Sequence, residues 1–446
     1  MRDLYIAMIY AAVLVLGFGA PFVFSLGYIW VDMFTPQNVS YYLSSIPVAL
    51  IMGGAAFASY FLFDRKSPPG LSAITLLTLA MAAWVTLTAT WAVAPDAAWT
   101  TWDWAFKTIV FSAFIPYVFR TRVQIEAFLQ VYMFSAFIYI APAGIKTALG
   151  GGGYGLQQSV VGGNSGLAES STLAGVAINF IPLMLVFLNH SVIIRLSARK
   201  IGYIGYIILC SLAAVGTFSR TGLICFTILA ASFWIQTRRK VLVAVVLLIT
   251  ALAGFYLVSD KWTERMATIQ TFQQENSALG RILVWQWTID FVKEHPLGGG
   301  FSAYVTDRIE LPSANPDLPG VVIFGKAYHS IWFEVLGEHG FPGIAIFLGT
   351  ILCSLLVLRR TIMLTRGVAE LEWCYDLAKA LITSLLVMLA CGTFQGIAFQ
   401  PYIWYLFAAA NCLRQYVRRV QQVRPAERSM AQPLPLSVST RGTGSR

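Results

Sequence analysis

Apolar runs near the roughly 20 residues that cross a bilayer recur along this chain, separated by short polar connections. The runs are continuous rather than alternating, which excludes a membrane β-barrel. Backbone facing lipid must satisfy its own hydrogen bonds, so the pattern predicts helices. Residues 4–34, broken by Gly17, Gly19 and Pro21, form one long segment or a short pair. Further spans are predicted at about 44–63, 71–92, 105–119, 124–145, 171–189, 201–218, 221–236, 241–259, 331–357, 377–393 and 400–416. The sum is an all-α polytopic membrane protein with about twelve transmembrane helices, twelve or thirteen by this count.

One stretch breaks the pattern. Asp260–Ser330 is the only long polar segment. It, or the residues just past it, holds His295, His329 and His339, three of the four histidines, together with Arg281. A large extramembrane loop bearing short helices is expected there, and any chemistry is expected on its side of the membrane. Gly150–Gly166 is glycine-rich and reads as a mobile loop. The tail from Gln421 is polar, basic and expected to lack structure.

Composition agrees with a lipid-facing surface. Of 446 residues 57% are hydrophobic and 12% charged, with mean hydropathy +0.68, against about 25% charged residues in soluble domains. The net charge of +10 matters less than its distribution. Basic clusters stand at Arg65-Lys66, Arg120/Arg122, Arg195/Arg199-Lys200, Arg238-Arg239-Lys240, Arg359-Arg360/Arg366 and Arg414/Arg418-Arg419. Every second connection carries one, which is the positive-inside pattern and not a nucleic-acid surface. The opposite side then receives 93–104, 146–170, the turn Ser219–Gly222, loop 260–330 and 394–399. In a bacterium that side is the periplasm. The N-terminal apolar stretch has a poor cleavage site and reads as a first membrane segment. The six cysteines have no motif spacing, so neither a disulfide framework nor a zinc site is indicated.

Three groups carry candidate chemistry. Arg220 is the lone charge in a tight turn on the non-basic side. Juxtamembrane charges there mark function more often than snorkelling. With Ser219 as cap, it makes an anion site of free N–H groups, a helix N-terminus and a guanidinium fork. Arg281 opens a predicted helix to Glu294, capped by Asn276 or Ser277 and ended by Pro296 and Gly298-Gly299-Gly300, with Trp285 one turn on. Alone it would be an exposed helical arginine. His329 stands in Tyr328-His329-Ser330, where the polar loop re-enters the membrane. A helix N-terminus favours its neutral form, which can act as a general base. His295 and His339 look structural, and no carboxylate cluster has metal-ligand spacing.

Three elements in order carry a resemblance: Ser219-Arg220-Thr221-Gly222; Gly280-Arg281 to Trp285, leading through His295-Pro296-Leu297-Gly298-Gly299-Gly300-Phe301; and His329-Ser330 before Glu338-His339-Gly340-Phe341-Pro342-Gly343. The chain resembles the bacterial O-antigen ligase and O-antigen polymerase superfamily. Met1-Arg2-Asp3-Leu4 and Thr35-Pro36 resemble its exosortase-A-associated O-glycosylation ligase branch. The resemblance implies a GT-C-like fold in the inner membrane with its active site facing the periplasm. It implies transfer of a glycan from an undecaprenyl-pyrophosphate donor to a hydroxyl of a glycolipid, a polysaccharide or a protein, without cofactor or metal. Arg220 and Arg281 would hold the pyrophosphate, His329 would receive or position the acceptor proton, and Ser219, Trp285 and Tyr328 would line the donor site. The expected organisation is N-terminal helices over 1–145, a catalytic membrane region over 146–417 containing loop 260–330, and a cytoplasmic tail over 418–446. A polymerase would use the same donor. A transporter should carry polar groups at mid-membrane and broken helices in paired halves, and neither is evident.

Overall fold

A computed structural model describes residues 2–36, 40, 46–64, 68, 70–150, 167, 169–194, 199–237, 240, 276–311 and 321–430. Its helices are α1 (Arg2–Gly19), α2 (Phe22–Phe34), α3 (Val48–Leu62), α4 (Ala73–Ala89), α5 (Pro95–Val118), α6 (Arg122–Ser135), α7 (Phe137–Gly150), α8 (Ser170–His190), α9 (Arg199–Gly216), α10 (Arg220–Gln236), α11 (Asn276–Glu294), α12 (Ile331–Thr365), α13 (Glu372–Thr393) and α14 (Pro401–Met430). Local sequence explains several starts. Ser72 caps α4 by accepting from the N–H of Thr75 at 3.1 Å. Thr121 and Gln124 form a reciprocal capping box at α6.

The chain is helical and membrane-like, as the apolar runs require. Four helical segments are long and apolar enough to span: α8, α9, α12, and Ala369–Thr393, which includes α13. The pair α6–α7, bent by 49°, would make a fifth, and α1–α4 and α10 are apolar but shorter. A total of about twelve spans is not reached by this criterion among the described residues, and the predicted span 241–259 lies outside them. So does the glycine-rich stretch from Gly151 to Gly166. The polar segment beyond Gln421 continues α14 to Met430 rather than leaving the helix.

The core centres on α8, which is packed between α9, α10 and α13. Side chains sort the helix ends into two groups. At one end Arg120 pairs with Asp64 at 2.6 Å, Arg122 donates to the carbonyl of His190 at 2.7 Å, and Arg419 reaches the carbonyl of Arg120. The buried Glu126 carboxylate there accepts from Gln130, Ser191 and the N–H groups of Val192 and Ile193. The basic clusters that these residues represent meet on one side. At the other end Val93 bonds Gly299, Ser171 bonds Ser219, and Trp332 bonds Thr393.

Helix α12 changes character at Gly340, whose backbone (φ 62, ψ −164) is not helical. Pro342 explains the break. It has no N–H to give the carbonyl of Glu338, so that carbonyl accepts instead from Gly300 at 2.8 Å. Gly299 donates to the carbonyl of Gly337 at 3.0 Å, and Phe341 donates to Pro296 at 3.0 Å. Segment 296–300 is thereby stitched into the kink by three backbone hydrogen bonds. The Gly298-Gly299-Gly300 run, expected only to end a helix, is the close-approach half of this seam. A Cβ at Gly298 would stand 2.5 Å from the Glu338 oxygen, and one at Gly340 would stand 2.2 Å from the Pro296 oxygen.

The polar loop also contains an antiparallel hairpin that the apolar pattern did not indicate. Strands β1 (Arg308–Leu311) and β2 (Val321–Phe324) pair Arg308 with Phe324 and Leu311 with Val321. They follow a single 3-10 turn at Ala303–Thr306.

Gly340→Ala and Gly298→Ala should each lower stability by about 2 kcal/mol or more, because each adds a backbone clash to a left-handed φ. Gly205→Ala, with open space around it in α9, should change stability by about 0.5 kcal/mol at most. Thermal unfolding in detergent measures all three, and equal melting temperatures would contradict the seam.

Candidate functional site

Helix α11 presents Arg281. It starts at Asn276, so Asn276 and Ser277 lie inside the helix rather than capping it, and Arg281 sits in its second turn. The arginine is half-buried and has no ion pair among the described residues. The Tyr328–Ser330 segment lies against the same helix. The Trp285 indole N–H donates to the carbonyl of Tyr328 at 2.8 Å, and its ring stacks on Phe333 at 4.9 Å, nearly parallel. Val284, Ile309 and Tyr328 form a small core of their own beneath the loop.

Tyr328 is 2% exposed, with its hydroxyl lodged against Gly337. The expected contact of Tyr328 and Trp285 with a ligand is not what these bonds serve in the unliganded protein. The phenol is buried under the loop, and the indole N–H is used to hold it. Both residues shape the peptide that carries His329.

His329 is half-buried, in the left-handed region at φ 48, where a non-glycine residue is uncommon and often functional. Ser330 follows as the N-cap position of α12, so the imidazole stands just outside a helix N-terminus. Burial, then the charges of Arg281 and Lys326, push it down from 6.5 to about 4. It is therefore neutral at pH 7, as a general base must be. Arg281 also faces the Glu169 carboxyl, which desolvation raises and which Gln395 and Arg281 pull back. Arg281, His329, Lys326 and Glu169 thus share one electrostatic neighbourhood.

Ser219 caps α10, accepting from Gly222 at 3.3 Å, and its buried hydroxyl meets that of Ser171 at 2.9 Å. Ser171 is in the first turn of α8, two residues from Glu169. The start of α8 therefore connects the two arginine elements: Ser219-Arg220 on one flank, and Glu169 facing Arg281 on the other. Arg220 is half-buried at the first position of α10.

His339 is fully buried, bonds Thr88 through Nδ1 at 2.8 Å, and packs edge-on to Phe301 and Phe399. His295 is exposed and stacks on Phe291. The sequence motifs did not single out Lys326 or Glu169. Lys326 could have been noticed only as a lone cation three residues before His329, and Glu169 as the carboxylate closing the glycine-rich stretch.

Two family models match the chain. Residues 1–192 match a family of unknown function (DUF5935). Residues 205–348 match the O-Antigen ligase family. That interval contains Arg220, Arg281 and His329, and it ends beyond the kink at Gly340. This O-antigen ligase domain over residues 205–348 places that part of the chain in the O-antigen ligase superfamily. No curated protein matches it at a significant level. An O-antigen ligase domain implies a glycosyltransferase-like membrane enzyme, a glycan ligase or polymerase with lipid-linked glycan substrates.

A histidine held low by burial and two cations should titrate far below the ordinary range. In the unliganded protein, His329 is expected to stay neutral until the pH approaches about 4. Because its folded value lies below its unfolded one, acid destabilises the fold as the pH falls from about 6.5 towards 4. Arg281→Ala should raise the value. Histidine-selective NMR titration of the two proteins measures it, and an unshifted His329 in wild type would refute the assignment.

Proposed function

We propose that this O-antigen ligase family member transfers an oligosaccharide or polysaccharide from an undecaprenyl-pyrophosphate donor to an acceptor hydroxyl, on the periplasmic face of a bacterial inner membrane. Within the family we place it nearest the exosortase-A-associated branch. The observation that supports the reading is the neighbourhood of a neutral His329 and a half-buried Arg281 that makes no direct ion pair among the described residues and has only the Glu169 carboxyl facing it. A cation partly withdrawn from water is costly, and an anionic ligand in direct contact lowers that cost. A neutral imidazole beside that anion is suited to take a proton.

The chemistry follows from these roles. The acceptor oxygen attacks the anomeric carbon of the glycan while its proton passes to His329. The bond from that carbon to the phosphate oxygen breaks, and the electron pair stays on the departing lipid pyrophosphate. Arg281, with Arg220 and the positive N-terminal end of α10, holds the pyrophosphate and stabilises the charge that grows on it. Guanidinium groups grip two phosphate oxygens at once, which an ammonium cannot do. This charge stabilisation needs no metal. The acceptor is a glycolipid, polysaccharide or protein hydroxyl.

The sorted helix ends support an orientation. The end that gathers Arg120, Arg122 and Arg419 is assigned to the cytoplasm, and the end with His329 to the periplasm. Reporter fusions at Ser277 and Gln421 should report opposite sides. The same side for both would reject the orientation.

Kinetics separate the roles. His329→Ala should cut single-turnover transfer by about 10²–10⁴-fold while donor binding survives. Arg281→Ala should weaken donor binding, and Arg220→Lys should lose most activity although its charge is kept. Arg220 and Arg281 changes should be non-additive, since they act on one group. Near-normal transfer by the double arginine variant would remove the pyrophosphate assignment.

A further inference from the structure

Lys326 follows the hairpin, three residues before His329 and just after Gly325. Its backbone is fixed. The N–H donates to Asp307 Oδ1 at 3.1 Å, and Asp307, fully buried just before β1, closes the neck of the hairpin. Its side chain lies against α11: Cε is 3.2 Å, and Nζ 3.6 Å, from where a Cβ would stand on Gly280, the residue before Arg281. The side chain is half-buried, yet among the described residues its ammonium makes no ion pair or hydrogen bond. Arg281 beside it has no direct ion pair among the described residues either, though the Glu169 carboxyl faces it.

Two neighbouring cations, both half-buried and neither in a direct ion pair among the described residues, repel each other, and the carboxylates that face them, Asp307 for Lys326 and Glu169 for Arg281, offset this only in part. The fold holds them together through Asp307 on one side and the α11 contact on the other. Such an arrangement is stable in use when an anion sits between them. We propose that Lys326 binds the sugar-proximal phosphate of the lipid-linked donor and stabilises the pyrophosphate as it leaves. The inference rests on the donor assignment made above.

Position selects that phosphate. Lys326 is on the loop of the base, whereas Arg281 is on the facing helix. The oxygen that His329 deprotonates attacks the anomeric carbon, and the group opposite that attack is the sugar-proximal phosphate oxygen. Of the cations on this loop and α11, the one nearest the base in the chain is best placed for the charge that appears there. Lys326 keeps its three protons throughout; the only proton transferred goes from the acceptor to His329. A small ammonium suits a single oxygen, while the guanidinium forks serve the rest of the pyrophosphate.

The test uses the full-length protein in lipid nanodiscs, with three variants: Lys326→Met, Lys326→Arg and Arg281→Ala. The readouts are single-turnover transfer, binding of undecaprenyl pyrophosphate without sugar, and the pH dependence of transfer. Lys326→Met is expected to slow transfer by about 10²-fold and to weaken binding of the sugar-free pyrophosphate. It should also move the acid limb of the pH profile upwards, because a cation near His329 is gone. Lys326→Arg should restore most of the rate. A shifted acid limb with unchanged pyrophosphate binding and unchanged rate at neutral pH would overturn the proposal and leave Lys326 as a tuner of His329. So would weakened binding confined to donors whose sugars carry carboxylates, which would make it a glycan subsite. If Arg281→Ala abolishes pyrophosphate binding and Lys326→Met does not, only this inference fails. If neither variant alters binding or transfer, the donor assignment fails with it.

Discussion

Three backbone hydrogen bonds between segment 296–300 and residues 337–341 hold the functional side of this protein together. Their origin is a single missing N–H. Pro342 leaves the Glu338 carbonyl without its helical partner, and Gly340 lets the chain turn away from helical geometry. The released polar groups would be costly inside a membrane protein unless paired. Segment 296–300 pairs them, and it can come near enough only because Gly298 and Gly340 have no side chains. The α4–α5 connection joins in: Val93 bonds the Gly299 carbonyl, Trp91 bonds Gly298, Trp84 bonds His339, and Thr101 meets Ser302. Three distant parts of the sequence become one bonded unit. The C-terminal end of α11 and the first turns of α12 are fixed by it, and these helices carry Arg281 and present His329.

On that frame the site gains its electrostatic character from burial. An imidazole in water would be partly protonated near neutral pH. Here desolvation lowers it first, and two cations lower it further. The same low-polarity surroundings that keep the base neutral make Arg281 and Lys326 strong attractors for an anion. The two properties are linked, since a bound anion raises the tendency of His329 to hold a proton. In the reaction proposed above, donor binding would therefore prepare His329 to accept the acceptor's proton.

Much of this was legible in the sequence. Apolar runs marked most helices, including the start of α12 at the end of the polar loop. His329 stood out where the polar loop re-enters the membrane, Arg281 gained weight only from the ordered motifs of the resemblance, and the structure sets the two in one electrostatic neighbourhood. Ser219 capping α10 followed from local chemistry alone. What could not be read depended on contacts between distant segments. Nothing local told that Gly298–Gly300 would pair with residues 337–341 rather than end a helix. The strands at 308–311 and 321–324 are too short to give a periodic signal. Trp285 and Tyr328 lie beside the site residues in sequence, so they resembled ligand contacts. Only packing reveals that the indole grips the Tyr328 carbonyl and that the phenol points inwards. Lys326 has no motif at all, and its meaning comes from Gly280 across the gap.

The strained backbone of His329 completes the account. A non-glycine residue in the left-handed region costs about 1 kcal/mol or more, so the surroundings must impose it. Three restraints do so within a few residues: Trp285 holds the carbonyl before it, Asp307 holds the N–H of Lys326, and Ser330 begins α12 after it. A relaxed loop would let the imidazole turn towards water, where it would hold a proton more readily, against the base role proposed for it. The strain thus does the same job as the burial. Both keep one neutral nitrogen-bearing ring beside the cations, ready before any substrate arrives, and both depend on the seam that holds α11 and α12 in place.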